Sequence, residues 1–173
     1  MDNVFINLLA KNELFERVSS DHVRIEKRGK LAIHNKSEIE VEIRGKNEYK
    51  SGRHEIHLRI QESANRWTFL GINSKSMIVR NNSYSGKAAY GWVCNNTLWQ
   101  NGMPYSNVST GIEMKTDDKI ILILDCDAQK IFMINERTNG NYVLDVNIEE
   151  CPFPWQLHVI LYEPNSSICI LSP

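Results

Sequence analysis

Lys119-Ile-Ile-Leu-Ile-Leu-Asp-Cys-Asp-Ala-Gln-Lys-Ile-Phe-Met-Ile-Asn135 decides how the rest of the chain is read. Ile120 to Leu124 is an unbroken apolar run, rich in β-branched residues, with aspartates close to both ends. A run so short and so bounded predicts a strand buried on both faces rather than a helix. Asp125-Cys-Asp-Ala-Gln129 supplies turn chemistry, because an Asp side chain bonds its own backbone and stabilises a tight reversal. Ile131 to Ile134 continues as a second strand, and Asp117-Asp118 reads as the turn that launches the first. The expectation is an antiparallel hairpin buried on both faces, which needs a sheet on each side of it.

The flanking sequence supplies those sheets. Ile56, Leu58 and Ile60 alternate with Glu55, His57 and Arg59, and Ile39, Val41 and Ile43 alternate with Glu38, Glu40, Glu42 and Arg44. Each pattern predicts a strand with one wet face. Val23 and Ile25, Leu31-Ala-Ile33, Trp67 to Ile72, Tyr142 to Ile148, Leu157 to Leu161, and Ile168 with Ile170 extend the set. Asn101-Gly102 is a hairpin-turn signal, Glu62-Ser-Ala-Asn65 reads as a loop, and Pro152 and Pro154 interrupt pairing. About a dozen short strands with few helices predict an all-β sandwich. Residues 1–22 differ in character: Val4, Leu8, Leu9, Leu14, Phe15 and Val18 have roughly helical spacing behind Asp2 or Asn3. A short helical N-terminal segment that packs on a domain spanning 23–173 is expected.

With 173 residues, the chain fits one domain with a sizeable core. Twenty basic against 21 acidic residues leave a net charge of -1, which steers it to neither nucleic acid nor anionic lipid. No apolar stretch approaches bilayer length, and the N-terminus lacks the pattern of a signal peptide. Cys94, Cys126, Cys151 and Cys169 lie far apart without metal-type spacing, and they read as buried thiols of a reducing, cytoplasmic compartment. Five Asn-X-Ser/Thr triplets, starting at Asn35, Asn81, Asn95, Asn107 and Asn165, would matter only in a secreted chain.

The ordered series of motifs resembles the SPRY domain family. It stands here as Ser51-Gly-Arg-His-Glu-Ile-His-Leu58, Trp67-Thr-Phe-Leu-Gly-Ile72, Tyr90-Gly-Trp92, Asp117-Asp-Lys-Ile120 with Leu124-Asp125, and Pro154-Trp155 onward. Ile43-Arg-Gly-Lys46 is similar to its counterpart in the SOCS-box branch. Two departures stand out: Asp117 replaces the family's usual glycine, and Arg137-Thr-Asn-Gly140 stands where many members have an Asn-Gly turn. The resemblance covers roughly residues 23–173. It implies two twisted antiparallel sheets and a non-catalytic module that docks peptides or protein surfaces, as in ubiquitin ligase adaptors and signalling scaffolds.

Other chemistry is weak. His54 and His57 sit three apart on a strand, so they point to opposite faces and cannot chelate together; two surface histidines are expected. Asp125-Cys-Asp127 lacks the further oxygen ligands that calcium needs. Glu40 and Glu42 alternate with core residues like any solvated surface rather than facing a glycosidase cleft. Cys94 is paired with no histidine, and no nucleophile elbow, phosphate loop or zinc motif occurs. No enzyme, metal or cofactor is expected. Among the tryptophans, Trp67 and Trp92 should be core, Trp99 partly exposed, and Trp155 a cap on the sandwich.

Carried over from the SOCS-box branch, three segments would line a peptide pocket at one end of the sandwich. They are His34, Asn35 and Lys36; Arg80, Asn82 and Tyr84, within the long polar stretch 73–87; and Tyr162 with Glu163. Arg80 and Lys36 would offer donors, Asn82 would pair with peptide backbone, and the tyrosines would supply flat apolar area. A protein or peptide partner and a monomeric module are expected, without nucleic acid or membrane. The alternatives are a glycan-binding, lectin-like sandwich and a structural, self-associating domain.

Overall fold

The computed structural model describes residues 12–62, 67–106 and 111–172. Fourteen strands are found among these residues, in two seven-stranded antiparallel sheets. The first sheet orders β1 (Phe15–Val18), β4 (Val41–Gly45), β13 (Trp155–Leu161), β6 (Thr68–Ser74), β7 (Tyr90–Val93), β8 (Thr97–Gln100) and β9 (Met103–Ser106). The second orders β12 (Gly140–Asp145), β11 (Lys130–Asn135), β10 (Lys119–Asp125), β5 (Arg53–Glu62), β14 (Ser167–Ile170), β3 (Leu31–His34) and β2 (Val23–Glu26). Between them lies one core, in which Ile56, Leu58, Ile120, Leu122, Leu124, Leu70, Ile72, Trp92, Val159 and Trp155 are all buried.

The deciding stretch forms the expected hairpin. Asp125 pairs with Lys130, Leu122 lies opposite Met133, and Leu122 lies opposite Ile56 on the other side. Asp125 Oδ1 accepts from the Ala128 amide at 2.9 Å, and Asp127 Oδ1 accepts from that of Gly52 at 2.9 Å. The hairpin's outward face is only partly covered, however, although Ile123 is 5% exposed. Ile121, Phe132 and Ile134 remain half-exposed, because the hairpin joins one sheet of a two-layer sandwich and faces only one other sheet. The Asn101-Gly102 turn joins β8 to β9 with positive φ at both residues, 55° and 74°, as a two-residue hairpin requires.

The expected N-terminal helix is overturned where it can be seen. Phe15–Val18 is a strand whose register on β4 sets Phe15 against Gly45 and Val18 against Ile43. Pairing with an otherwise open edge outweighs the weak helical periodicity. The remainder of that expectation, residues 1–11, lies outside the described residues, as does most of the loop after Glu62. Glu13 anchors the entry to β1: it is 3% exposed, accepts the Tyr49 hydroxyl at 2.5 Å, and accepts the Asn47 amide at 3.1 Å.

Asp117, which replaces a glycine of the resembled pattern, has φ 71°. Left-handed backbone suits glycine, and aspartate is among the few other residues that adopt it readily. The substitution therefore preserves the turn into β10, where the Asp117 amide donates to Ile60 O at 2.7 Å.

Candidate functional site

The outward face of the first sheet departs most from the sequence reading. All five residues of β4 are buried, and Glu42 and Arg44, expected on a wet face, are 0% exposed. On the neighbouring strand, Gln156 and His158 are buried as well. Glu42 Oε1 accepts the Arg44 Nε–H in a close ion pair, and His158 Nε2 stands 3.5 Å from the same carboxylate. Arg44 Nη1 donates to Ser74 O at 3.1 Å and lies 3.4 Å from Gln156 Oε1, while Arg44 Nη2 has no hydrogen-bond partner among the described residues. Burial lowers the Arg44 pKa against the opposing pull of Glu42, and burial holds His158 neutral, with its pKa down at about 4.

The long polar stretch covers these groups. The Arg80 amide donates to Glu42 Oε2 at 2.7 Å, and Ser83 Oγ meets His158 Nε2 at 2.9 Å. Tyr84 then enters a second, smaller apolar cluster formed by Phe69, Val93 and Ile160, flanked by Trp67 and Trp99. Its ring stands edge-on to Trp67 and Trp99, with centroids at 4.6 Å and 4.9 Å. Trp67, expected in the core, is therefore only half-buried, on this outer face. In the same sheet β6 and β7 approach closely: a Cβ on Gly71 would stand 2.0 Å from Tyr90 O, and one on Gly91 2.3 Å from Leu70 O. Only glycine fits that pair.

The three segments singled out by sequence meet through the backbone and Tyr84. The Tyr84 hydroxyl donates to Glu40 Oε1 at 3.1 Å, which ties the 79–86 segment to the β3–β4 loop. Burial, with Glu40 adding, pushes the Tyr84 pKa up to about 12. The His34 amide donates to Ser166 O at 2.9 Å and the Asn165 amide to Asn35 O at 3.0 Å, so the β13–β14 loop abuts the same place.

Individual side chains divide. His34 is buried, with its ring nitrogens 3.0 Å from Asn35 O and 2.6 Å from Ile39 O. Glu163 is 8% exposed. Asn35 is exposed, and its side chain binds Ser37 and His22. Lys36, Arg80 and Asn82 are exposed, and Tyr162 and Tyr84 are half-buried. Asn82 takes left-handed backbone, with φ 61°, at the start of the turn that aims Ser83 and Tyr84 inward. Sequence reasoning missed Glu42, Arg44, Gln156 and His158. A His and a Gln within the apolar run Trp155–Leu161 were the signal that this strand carries polar groups on a covered face.

The remaining candidates are structural. His54 is buried against Tyr49, with centroids 4.9 Å apart, and is not the surface histidine expected. Cys94 is half-buried, and burial raises its thiol pKa. No three His, Cys, Asp or Glu side chains among the described residues come together as a metal site.

No family model matches the sequence, and no curated protein matches it. Solved structures do. The TRIM65 PSpry domain superposes with TM-score 0.71 at 10% identity, covering 95% of this chain and 94% of that one. The SPRY domain of human HERC1 gives TM-score 0.66 at 16% identity, over 91% and 97%. Stonustoxin gives 0.69 at 10% identity over 94% of this chain, which spans only 27% of the toxin chain. Two seven-stranded sheets in this order, matched end to end by two SPRY domains, give this chain the SPRY fold.

Proposed function

We propose that the chain is a non-catalytic protein-interaction module that binds a short peptide across the loops at 34–37, 80–84 and 162–163. The observation that carries this reading is that three sequence-distant loops are fastened side by side over a rigid sheet. They leave Lys36, Arg80 and Asn82 exposed and Tyr162 half-buried. Loops held by a scaffold are where recognition side chains are usefully presented. His34 and Glu163 contribute from inside by shaping the loops, Asn35 by its backbone and side-chain bonds, and Tyr84 by filling the floor between Trp67 and Trp99.

Placement in the SOCS-box branch, and with it a substrate-recognition role in a ubiquitin ligase, rests on the similarity of Ile43-Arg-Gly-Lys46. A monomer in a reducing cytoplasm fits the free thiols of Cys94, Cys151 and Cys169. A proteome-derived peptide display screen, followed by titration calorimetry, tests the reading. Asn82→Ala and Tyr162→Ala should each weaken a selected peptide about tenfold or more, and Lys36→Ala less. Val143→Ala, on the opposite sheet, should change nothing. Binding lost through Val143 and kept in both loop variants would place the ligand elsewhere.

A further inference from the structure

Met77 and Ile78 lie just before the covering segment, and Ile78 is 80% exposed, the most exposed large hydrophobic residue described. They form a shared wall between two hollows. One, of about 550 Å³, is lined by Arg17, Val18 and Lys75; the other, of about 310 Å³, reaches Arg80. A single exposed apolar side chain needs no explanation. Here two adjacent ones, with Val18 alongside, are framed by three cations, and no carboxylate among the described residues lines either hollow. The chain as a whole carries 20 basic and 21 acidic residues, so this local imbalance is not its average character. The Arg17 guanidinium is spent on a neutral acceptor, Gln156 Oε1, at 2.7 Å. Lys75 pairs with Glu48 only at the exposed rim, where such a pair contributes little.

We infer that this groove docks an acidic protein segment carrying one large apolar side chain. The apolar group would lie against Met77 and Ile78, and flanking carboxylates would meet Arg17, Lys75 and Arg80. Charge complementarity sets the occupant. Nucleic acid would want aromatic faces for stacking, and the lining offers none. A membrane would want a broad apolar face, and here the apolar lining is interrupted by Arg17, Lys75, Ser76 and Arg80. The surface borders the proposed peptide site at Arg80 but does not depend on it.

The test is fluorescence anisotropy at low ionic strength. The probe is a labelled peptide with a central phenylalanine flanked by glutamates; its serine-centred and lysine-flanked counterparts serve as comparisons. Saturable binding of the first is expected, about tenfold tighter than either counterpart. It should weaken about tenfold in Ile78→Asp and in Lys75→Glu, and persist in Asn82→Ala and Tyr162→Ala. Ile78 is so exposed that its variant should fold, which circular dichroism checks. The inference falls if the peptide does not bind saturably, or if Ile78→Asp binds it unchanged. Loss in the Asn82 and Tyr162 variants alone also overturns it, moving that peptide to the loop site. Preference for a single-stranded oligonucleotide or an anionic phospholipid vesicle over the peptide does so too.

Discussion

Glu42 ties together the buried polar groups on the outward face of the first sheet. Its carboxylate holds Arg44, faces His158 and accepts the Arg80 amide, and Glu42, Arg44 and His158 are all out of contact with water. Glu42→Ala would leave a buried guanidinium without its counter-charge, so a loss of about 3–5 kcal/mol is expected in denaturant unfolding. A loss under about 1 kcal/mol would mean the face is wet. His158 adds a pH dependence of definite sign. Its ordinary pKa is 6.5, and burial brings it down to about 4 in the folded chain. Between those values the unfolded chain binds the proton that the folded one refuses. Stability from this group is therefore full above pH 6.5 and falls as pH drops toward 4, by on the order of 2–3 kcal/mol. Denaturant midpoints across that range should show the slope, and His158→Gln should flatten it. The alternation Glu40, Glu42, Arg44 looks the same in sequence whether a face is solvated or covered. What distinguishes the two is a segment that folds over it from more than thirty residues away, which a local pattern does not record.

At the scale of elements, the hairpin at 119–135 was legible because apolar run, Asp-rich turn and second run agree with one another. Leu122, 0% exposed between Ile56 and Met133, makes the prediction direct: Leu122→Ala should cost about 2–5 kcal/mol. A cost under about 1 kcal/mol would place β10 at the surface. β1 was not legible. Leu14, Phe15 and Val18 satisfy a helical spacing as well as a strand, and only the open edge of β4 decides between them. The polar stretch 73–87 was read as a loop that presents Arg80, Asn82 and Tyr84 to a ligand. The structure makes it a lid with two inward bonds and an inward tyrosine, leaving Arg80 and Asn82 outside.

For the whole molecule, the order of motifs carried the sandwich, and end-to-end agreement with two SPRY domains at 10% and 16% identity bears it out. At that distance the sheets persist while loop chemistry is rewritten, so the ligand is not legible from the fold. Cys94, Cys151 and Cys169 are free, and no ligand set for a metal forms among the described residues. The thermal midpoint should therefore be unchanged by reductant or chelator; a clear drop with either would point to a structural bridge or ion. The central claim is that recognition runs through three loops fastened over the first sheet. It is tested most directly by amide chemical-shift mapping with a display-selected peptide. The account predicts perturbations concentrated at Lys36, Arg80, Asn82 and Tyr162, with β10–β12 silent; shifts centred on β10–β12, with those loops unmoved, would contradict it.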